Sequence, residues 1–400
     1  MSATHRGSTS GPNLCHLLLS LARRSMTRSK SKPAVMGANP PGGCQASRAL
    51  ACASSVVVFG AGRRISMEQR TLGRTGLKVG VLGFGCGDVG GLIVRGTPAE
   101  RERAVSRALD AGVNYFDTAA SYGNGESERN LGATLRALRV RPYVGTKVRV
   151  SPEATDTAAA VIGGVEASLE RLGMDGVDLV QLHNPILADG AATGRSGLPL
   201  RRVMDEVVPA LERLRRQGKT RFIGVTALGD TPALHALLDA GVIDTAQVCV
   251  NLLNPTAIVT PPAGFPAQDF GRLLDRAQRA SVGTIAIRVL AAGALSGTVS
   301  RHPIAMPKVA PIASGDDYAE DVERAQRLRP LVDKGHASTL MEASIRFALT
   351  HPGLSTVLVG TSELAHLDAA LAAVERGPLP PAALELLDGL WTDLARGTAR

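Results

Sequence analysis

From residue 79 onward the chain repeats one theme: a short run of apolar, β-branched or aromatic residues, a turn, and then a longer segment whose apolar positions recur at helical spacing. Eight such runs stand out, at residues 79–84, 113–116, 143–146, 179–182, 222–225, 245–250, 283–287 and 356–359. Between them, segments such as the one carrying Ala104, Val105, Ala108 and Leu109 present a single apolar stripe. Short continuous apolar runs alternating with amphipathic helices predict parallel strands covered on both faces. Eight strand–helix units in a row predict one α/β domain, a (β/α)8 TIM barrel.

The helix after the first run has chemical boundaries, with Thr97 as a capping residue, Pro98 in the first turn, Glu100 at the positive end of the dipole and Gly112 at the close. Two long connections, 184–200 and 292–318, fall on the side where strands end, where barrel loops shape the substrate pocket. Helices over 363–374 and 381–394 are expected to pack outside, the second able to lean back across the mouth.

Composition changes this picture in one place. A chain of 400 residues ordinarily suggests two or three domains, yet one barrel of about 250 residues or more with a tail accounts for it. Residues 1–66 hold nine Lys or Arg and no Asp or Glu, which leaves residues 67–400 with 36 charges of each sign. The formal charge of +9 therefore lies outside the expected barrel, and no basic stripe is left to track nucleic-acid phosphates. Rich in Gly, Pro, Ser and Arg, the leader is expected to be disordered and no part of the fold. Its composition fits a transit peptide or translated sequence upstream of a start at Met67, the second being preferred. The longest apolar stretch, 50–59, is shorter than the roughly 18 residues of a membrane span, so a soluble cytoplasmic protein is expected. Cys15, Cys44 and Cys52 lie in the leader; Cys86 and Cys249 have no disulfide or metal spacing and read as reduced, packed thiols. The histidines at 183, 235, 302, 336, 351 and 366 are too scattered to form a metal-ligand set. Oligomeric state is not readable from the chain.

Three of the runs end on ionisable groups. Asp117 follows 113–116 with Tyr122 five residues later, Lys147 follows 143–146, and His183 follows 179–182. A tyrosine, with an ordinary pKa of about 10, passes a proton near neutrality only where a cation stabilises its phenolate. Taken singly, Asp117 reads as a helix cap, Tyr122 as loop packing, Lys147 as solvent-facing and His183 as a satisfied core histidine. Jointly, at successive strand ends, they point to an active site at a barrel mouth. Two other patterns are misleading. Gly85, Gly87 and Gly90 match GxGxxG after a strand, but no helix opens on them as a dinucleotide-binding turn requires. Tyr143 and Lys147 match YxxxK, but Pro142, Gly145 and the flanking valines favour extended backbone, in which the two lie about 13 Å apart. Tyr143 then reads as a packing residue.

At Asp117, Tyr122, Lys147 and His183, and in the opening segment 67–79, the chain resembles the aldo-keto reductases, and the resemblance continues to about Val374. Segments 224–230 and 287–297 are most similar to the sugar-oxidising branch with aldose and galactose dehydrogenases. The resemblance implies a (β/α)8 barrel, NAD(P)H as cofactor and the interconversion of a carbonyl with an alcohol or lactone. Tyr122 would then give a proton to the carbonyl oxygen, or take one in the oxidative direction. Lys147 would stabilise its phenolate, Asp117 would hold the ammonium, and His183 would orient the oxygen.

The resemblance also assigns the cofactor's carboxamide to Thr226 and Gln247, with Ala227 where the family has an asparagine and Val250 where it has a stacking aromatic. Asn184 is placed to reach the nicotinamide or the substrate, or else to serve a turn before Pro185. Leu290, Gly293 and Leu295 would flank the pyrophosphate, and Gly360, Thr361 and Ser362 the adenosine phosphate, ahead of a helix whose amides favour anions. Arg288 stands where the family commonly has a serine; a cofactor phosphate, a polar substrate and a structural salt bridge are all open to it. Residues 360–368 contain no Lys or Arg and Glu363 opposes a 2′-phosphate, so NAD is favoured over NADP, with His366 the one counterweight. Aromatic residues at 3% favour small polar substrates such as sugars. The alternative, kept open by Val250, is a regulatory barrel that binds nucleotide with little turnover.

Overall fold

Parallel strands rich in apolar residues on both faces have no edge that tolerates water, and here they remove the edge by closing on themselves. The structure, a computed structural model, describes residues 67–191 and 196–397. Its closed barrel comprises β1 (Leu82–Gly85), β2 (Tyr115–Asp117), β3 (Tyr143–Val148), β4 (Val177–Leu182), β5 (Thr220–Thr226), β6 (Thr245–Cys249), β7 (Gly283–Ile287) and β8 (Leu354–Gly360). Neighbours round the barrel follow chain order, and β8 seals it against β1 through Val357 opposite Leu82. Each of the eight predicted runs supplies one barrel strand.

The first run is a correction. Residues 79–84 are not one strand: Lys78–Gly80 pairs antiparallel with Gln69–Thr71, and only Leu82–Gly85 enters the barrel. The switch is made by hydrogen bonds from Gly80 N to Asn114 Oδ1 at 2.8 Å and from Val81 N to Glu68 O at 2.9 Å. The resulting hairpin pushes Leu72, Leu77 and Val79 against Tyr115, Leu179, Ile285 and Leu358, which plugs the end of the barrel where strands begin. Tyr143 packs against this cluster, as a strand residue rather than half of a helical pair.

Outside the barrel, Thr97 and Glu100 form a reciprocal capping box at the start of Pro98–Asp110. Glu128, fully buried on the helix Glu126–Leu138, accepts from the Thr146 hydroxyl and from Arg171 Nε at 2.6 Å. Because Thr146 faces out to this carboxylate, Lys147 must face into the barrel. The C-terminal helix Pro381–Gly397 is anchored by Trp391, which donates to Leu252 O at 2.9 Å and meets Phe347 edge-on. That acceptor belongs to a third long connection, 250–272, which the sequence reading passed over.

Of the glycines in the GxGxxG match, Gly90 has a packing reason: a Cβ there would lie 2.6 Å from Thr361 N, so the loop after β1 lies flat against the loop after β8. Cys86 and Cys249 are free and buried. Among the described residues no helix is long and apolar enough to cross a membrane, and no group of His, Cys, Asp and Glu is placed to hold a metal ion. The expectations for residues 1–66, including Cys15, Cys44 and Cys52, lie outside the described residues.

Candidate active site

Period-two alternation sends Asp117 of β2, Lys147 of β3, Gln181 of β4 and Gln247 of β6 toward the barrel axis. Lys147 is 1% exposed, and each of its three N–H bonds has one acceptor: Asp117 Oδ2, Thr118 O at 2.9 Å and the Tyr122 hydroxyl at 3.0 Å. The other Asp117 oxygen accepts from Gln247 Nε2 at 2.6 Å, the Tyr115 hydroxyl at 3.0 Å and Gln181 Nε2 at 3.4 Å. Gly145 makes this possible, since a Cβ there would stand 2.3 Å from the Tyr115 oxygen. Burial works against the Lys147 charge, but the Asp117 carboxylate and then Tyr122 outweigh it and hold the ammonium above the usual lysine range. Burial likewise pushes the Asp117 carboxyl up, opposed by the Lys147 charge and by hydrogen bonds from Lys147, Tyr115 and Gln247.

Tyr122 is carried on a tight turn, with Gly123, Asn124 and Gly125 all left-handed before the next helix begins at Glu126. Asp88 fixes that turn by accepting from Gly123 N at 2.7 Å while pairing with Arg95 at 2.9 Å. The Lys147 nitrogen also lies 4.7 Å from the centre of the Tyr122 ring, a cation–π contact. His183 meets the same ring edge-on at 5.8 Å, with Nδ1 3.4 Å from Ser121 Oγ. Its imidazole is driven down to about 2 by burial and then by the charges of Lys147 and Arg149, so it is neutral at any working pH. The four strand-end residues therefore converge, with Tyr122 the one member that leads outward from the buried pair.

The remaining predicted contacts divide. Thr226 is buried at the end of β5 and its hydroxyl finds no hydrogen-bond partner among the described residues, while Gln247 keeps its carbonyl oxygen clear of the bond to Asp117. Asn184 bonds across to the neighbouring strand-end loop. Its amide is 1% exposed and bonds Val150 N at 2.8 Å and Val150 O at 2.7 Å, clamping the loops after β3 and β4 together. Leu290, Gly293 and Leu295 lie on the turn after β7. Gly360 ends β8, the Thr361 hydroxyl is buried without a partner among the described residues, and Ser362 Oγ donates to Gly90 O at 2.7 Å, ahead of the helix Leu364–Glu375. His366 sits 3.4 Å from Glu363, whose other oxygen is 3.7 Å from His302. For Arg288 the structural salt bridge is not found: no carboxylate of the described residues lies within ion-pair distance. Tyr115, Gln181, Asp88 and Arg301 were not anticipated. Tyr115 could have been, since it shares a strand face with Asp117; the others depend on contacts across the fold.

Against known proteins, the family model described as Aldo/keto reductase family matches residues 81–392. L-galactose dehydrogenase of Arabidopsis thaliana is 29% identical over 317 residues, spanning 77% of this chain and 88% of its own. D-threo-aldose 1-dehydrogenase of a Pseudomonas species is 26% identical over 357 residues, spanning 83% and 98%. Among solved structures, the holo form of an aldo-keto reductase from Bacillus halodurans matches with a TM-score of 0.60 at 24% identity, over 81% of this chain and 96% of that one, a likeness of fold.

The neutral imidazole has a consequence for stability. In the unfolded chain a histidine titrates near 6.5 and in the folded state His183 does so at about 2, so the unfolded chain binds the extra proton between those values. Its stabilising contribution is complete above pH 6.5 and declines as the pH falls through that window. His183→Asn is expected to lose less stability than the wild type between pH 7 and pH 4.5, read from urea midpoints; an equal loss in both proteins contradicts the assignment.

Proposed function

The chain belongs to the aldo/keto reductase family of oxidoreductases, and from that premise we propose that it interconverts an aldehyde or aldose with the alcohol or lactone, using Tyr122 as general acid and base. The observation that carries the reading is the third proton of Lys147. Two are held by Asp117 and Thr118 O, and the remaining one is directed at the Tyr122 oxygen at 3.0 Å.

In the reductive direction a carbonyl oxygen seated between Tyr122 and His183 takes the phenolic proton, and the phenolate left behind already faces an ammonium. Asp117 keeps that ammonium in place, while its own charge is dispersed over bonds from Tyr115, Gln181 and Gln247. His183, being neutral, orients the oxygen by hydrogen bonding without competing for the proton. Oxidation runs the same steps in reverse, with Tyr122 removing the hydroxyl proton.

NAD(P)H is the family's hydride carrier, and the residues present fit it. The unpartnered Thr226 hydroxyl and the free Gln247 carbonyl suit its carboxamide. Leu290, Gly293 and Leu295 would border the phosphates. Gly360, Ser362 and the unpartnered Thr361 hydroxyl would hold the adenosine end. Glu363, held between His302 and His366, favours NAD over NADP, since its carboxylate already occupies the two imidazoles that a 2′-phosphate would use. The regulatory reading draws on Val250, which is fully buried where the family stacks an aromatic ring. We assign the activity to residues 67–400 alone and none of it to the leader.

Tyr122→Phe is expected to lower kcat by at least about 100-fold while NAD+ binding, followed by fluorescence, is unchanged. A near-normal rate in that variant refutes the role of Tyr122. Measured kcat/KM should be about tenfold higher with NAD than with NADP, the effect of roughly 1.4 kcal/mol of repulsion, and the opposite order overturns the reading of Glu363. A protein starting at Met67 should keep full activity; loss of folding on truncation would show that the leader is part of the domain.

A further inference from the structure

Among the described residues, four acids near the barrel mouth are ion-paired: Asp117 with Lys147, Asp88 with Arg95 at 2.9 Å, Asp321 with Arg324, and Glu363 with two imidazoles. Two arginines of the β7 region, Arg288 and Arg301, have no carboxylate partner. Arg301 is nonetheless fully engaged. It donates to Met306 O, Ala292 O, Val89 O and the Tyr318 hydroxyl at 2.6 to 3.2 Å and lies over the Tyr318 ring, so it straps the loop after β7 to the loop after β1.

Arg288 is the reverse case. Among the described residues only one partner is found for its guanidinium donors, Ala310 O, at a long 3.4 Å. The residue is partly buried, and burial pushes its pKa down. Its backbone is left-handed, at φ 56°, in a residue that is not glycine, and its carbonyl is held there by Asn251 Nδ2 at 2.9 Å. A strained backbone and an underused, partly desolvated cation together mark a group kept ready for a ligand. It follows directly on β7 and stands near Cys249, close enough to Tyr122 for their charges to interact. Arg301 bonds Ala292 O on the turn carrying Leu290, Gly293 and Leu295, so a cation other than Arg288 already stands beside that turn.

We propose that Arg288 is the receptor for a carboxylate on the substrate, so that this site acts on carbonyl compounds bearing an acid group, such as uronic acids and aldehyde acids. The guanidinium fork matches a carboxylate with two parallel hydrogen bonds and would present the neighbouring carbonyl to Tyr122 and His183. The inference rests on the oxidoreductase reading above and narrows its substrates.

The test pairs D-galacturonate with D-galactose, and succinic semialdehyde with butanal. Calorimetry on the NAD+ complex of Tyr122→Phe, in which turnover is blocked, gives Kd for the sugars, and steady-state absorbance of the wild type gives kcat and KM for the aldehydes. The acid member is expected to be favoured by about tenfold or more, through Kd and KM rather than kcat, as one new charge-assisted bidentate contact gives. Arg288→Gln should abolish the preference and leave the Kd for NAD+ unchanged, and Arg288→Lys, with the charge but not the fork, should keep part of it. Equal or undetectable binding of both members overturns the proposal. So does a preference that survives Arg288→Gln, or a loss of NAD+ affinity with the acid-to-neutral ratio intact, which would assign the anion to the cofactor. Because the binding arm needs no turnover, acid preference without hydride transfer refutes the enzymatic reading and leaves this one standing.

Discussion

A carboxylate and an ammonium buried side by side cost several kcal/mol each to desolvate, and such a pair persists only where every lone pair and every proton has a partner. Asp117 and Lys147 meet that condition, and doing so dictates much of the barrel interior. The Asp117 carboxylate draws Tyr115 from its own strand, Gln181 from β4 and Gln247 from β6. Gly145 is required to leave room for the Tyr115 hydroxyl. On the outer side of β3, the Thr146–Glu128–Arg171 contacts hold the strand so that Lys147 cannot rotate away from its partners. Below, the hairpin cluster of Leu72, Leu77 and Val79 closes the interior to water, which keeps the local dielectric low.

The arrangement has one exit. Lys147 donates its third N–H to the Tyr122 hydroxyl, which links the buried pair to the mouth. Around that phenol the structure keeps other groups uncharged or underused. His183 is neutral by burial and by the nearness of two cations, and among the described residues the Thr226 hydroxyl has no partner and Arg288 uses one long hydrogen bond. Groups of this kind are costly in a folded interior unless a ligand completes them. The same economy explains the two thiols: burial holds Cys86 well above the usual range and Cys249 at about 12, so neither supplies a reactive thiolate beside the site.

Much of this was legible in the chain, because strand runs and helix caps depend on near neighbours. The eight runs each gave a barrel strand, and the Thr97–Glu100 cap formed as its spacing predicts. The reading failed where local pattern is ambiguous. Residues 79–84 look like one strand because a hairpin and a barrel strand both alternate apolar residues, and only Asn114 and Glu68 show where one ends. Nor does local pattern show that the Asn184 amide bonds both backbone groups of Val150, which is 34 residues away in sequence. The 250–272 connection carries buried apolar residues, Leu252 and Leu253 among them, and is pinned by Trp391 of the last helix, a contact that no local pattern marks.

By itself the sequence determined the class of fold, the order of its units and the strand ends on which Asp117, Tyr122, Lys147 and His183 fall, since periodicity and turn chemistry act over a few residues. Only the closed barrel decided how those ends are used. It brings Lys147 across 30 residues and Gln247 across 130 to the same carboxylate, aims one proton at Tyr122, and leaves Arg288 without an acid. The reason is physical: side-chain direction follows from local geometry, whereas burial, charge balance and the pairing of polar atoms exist only once distant strands have met.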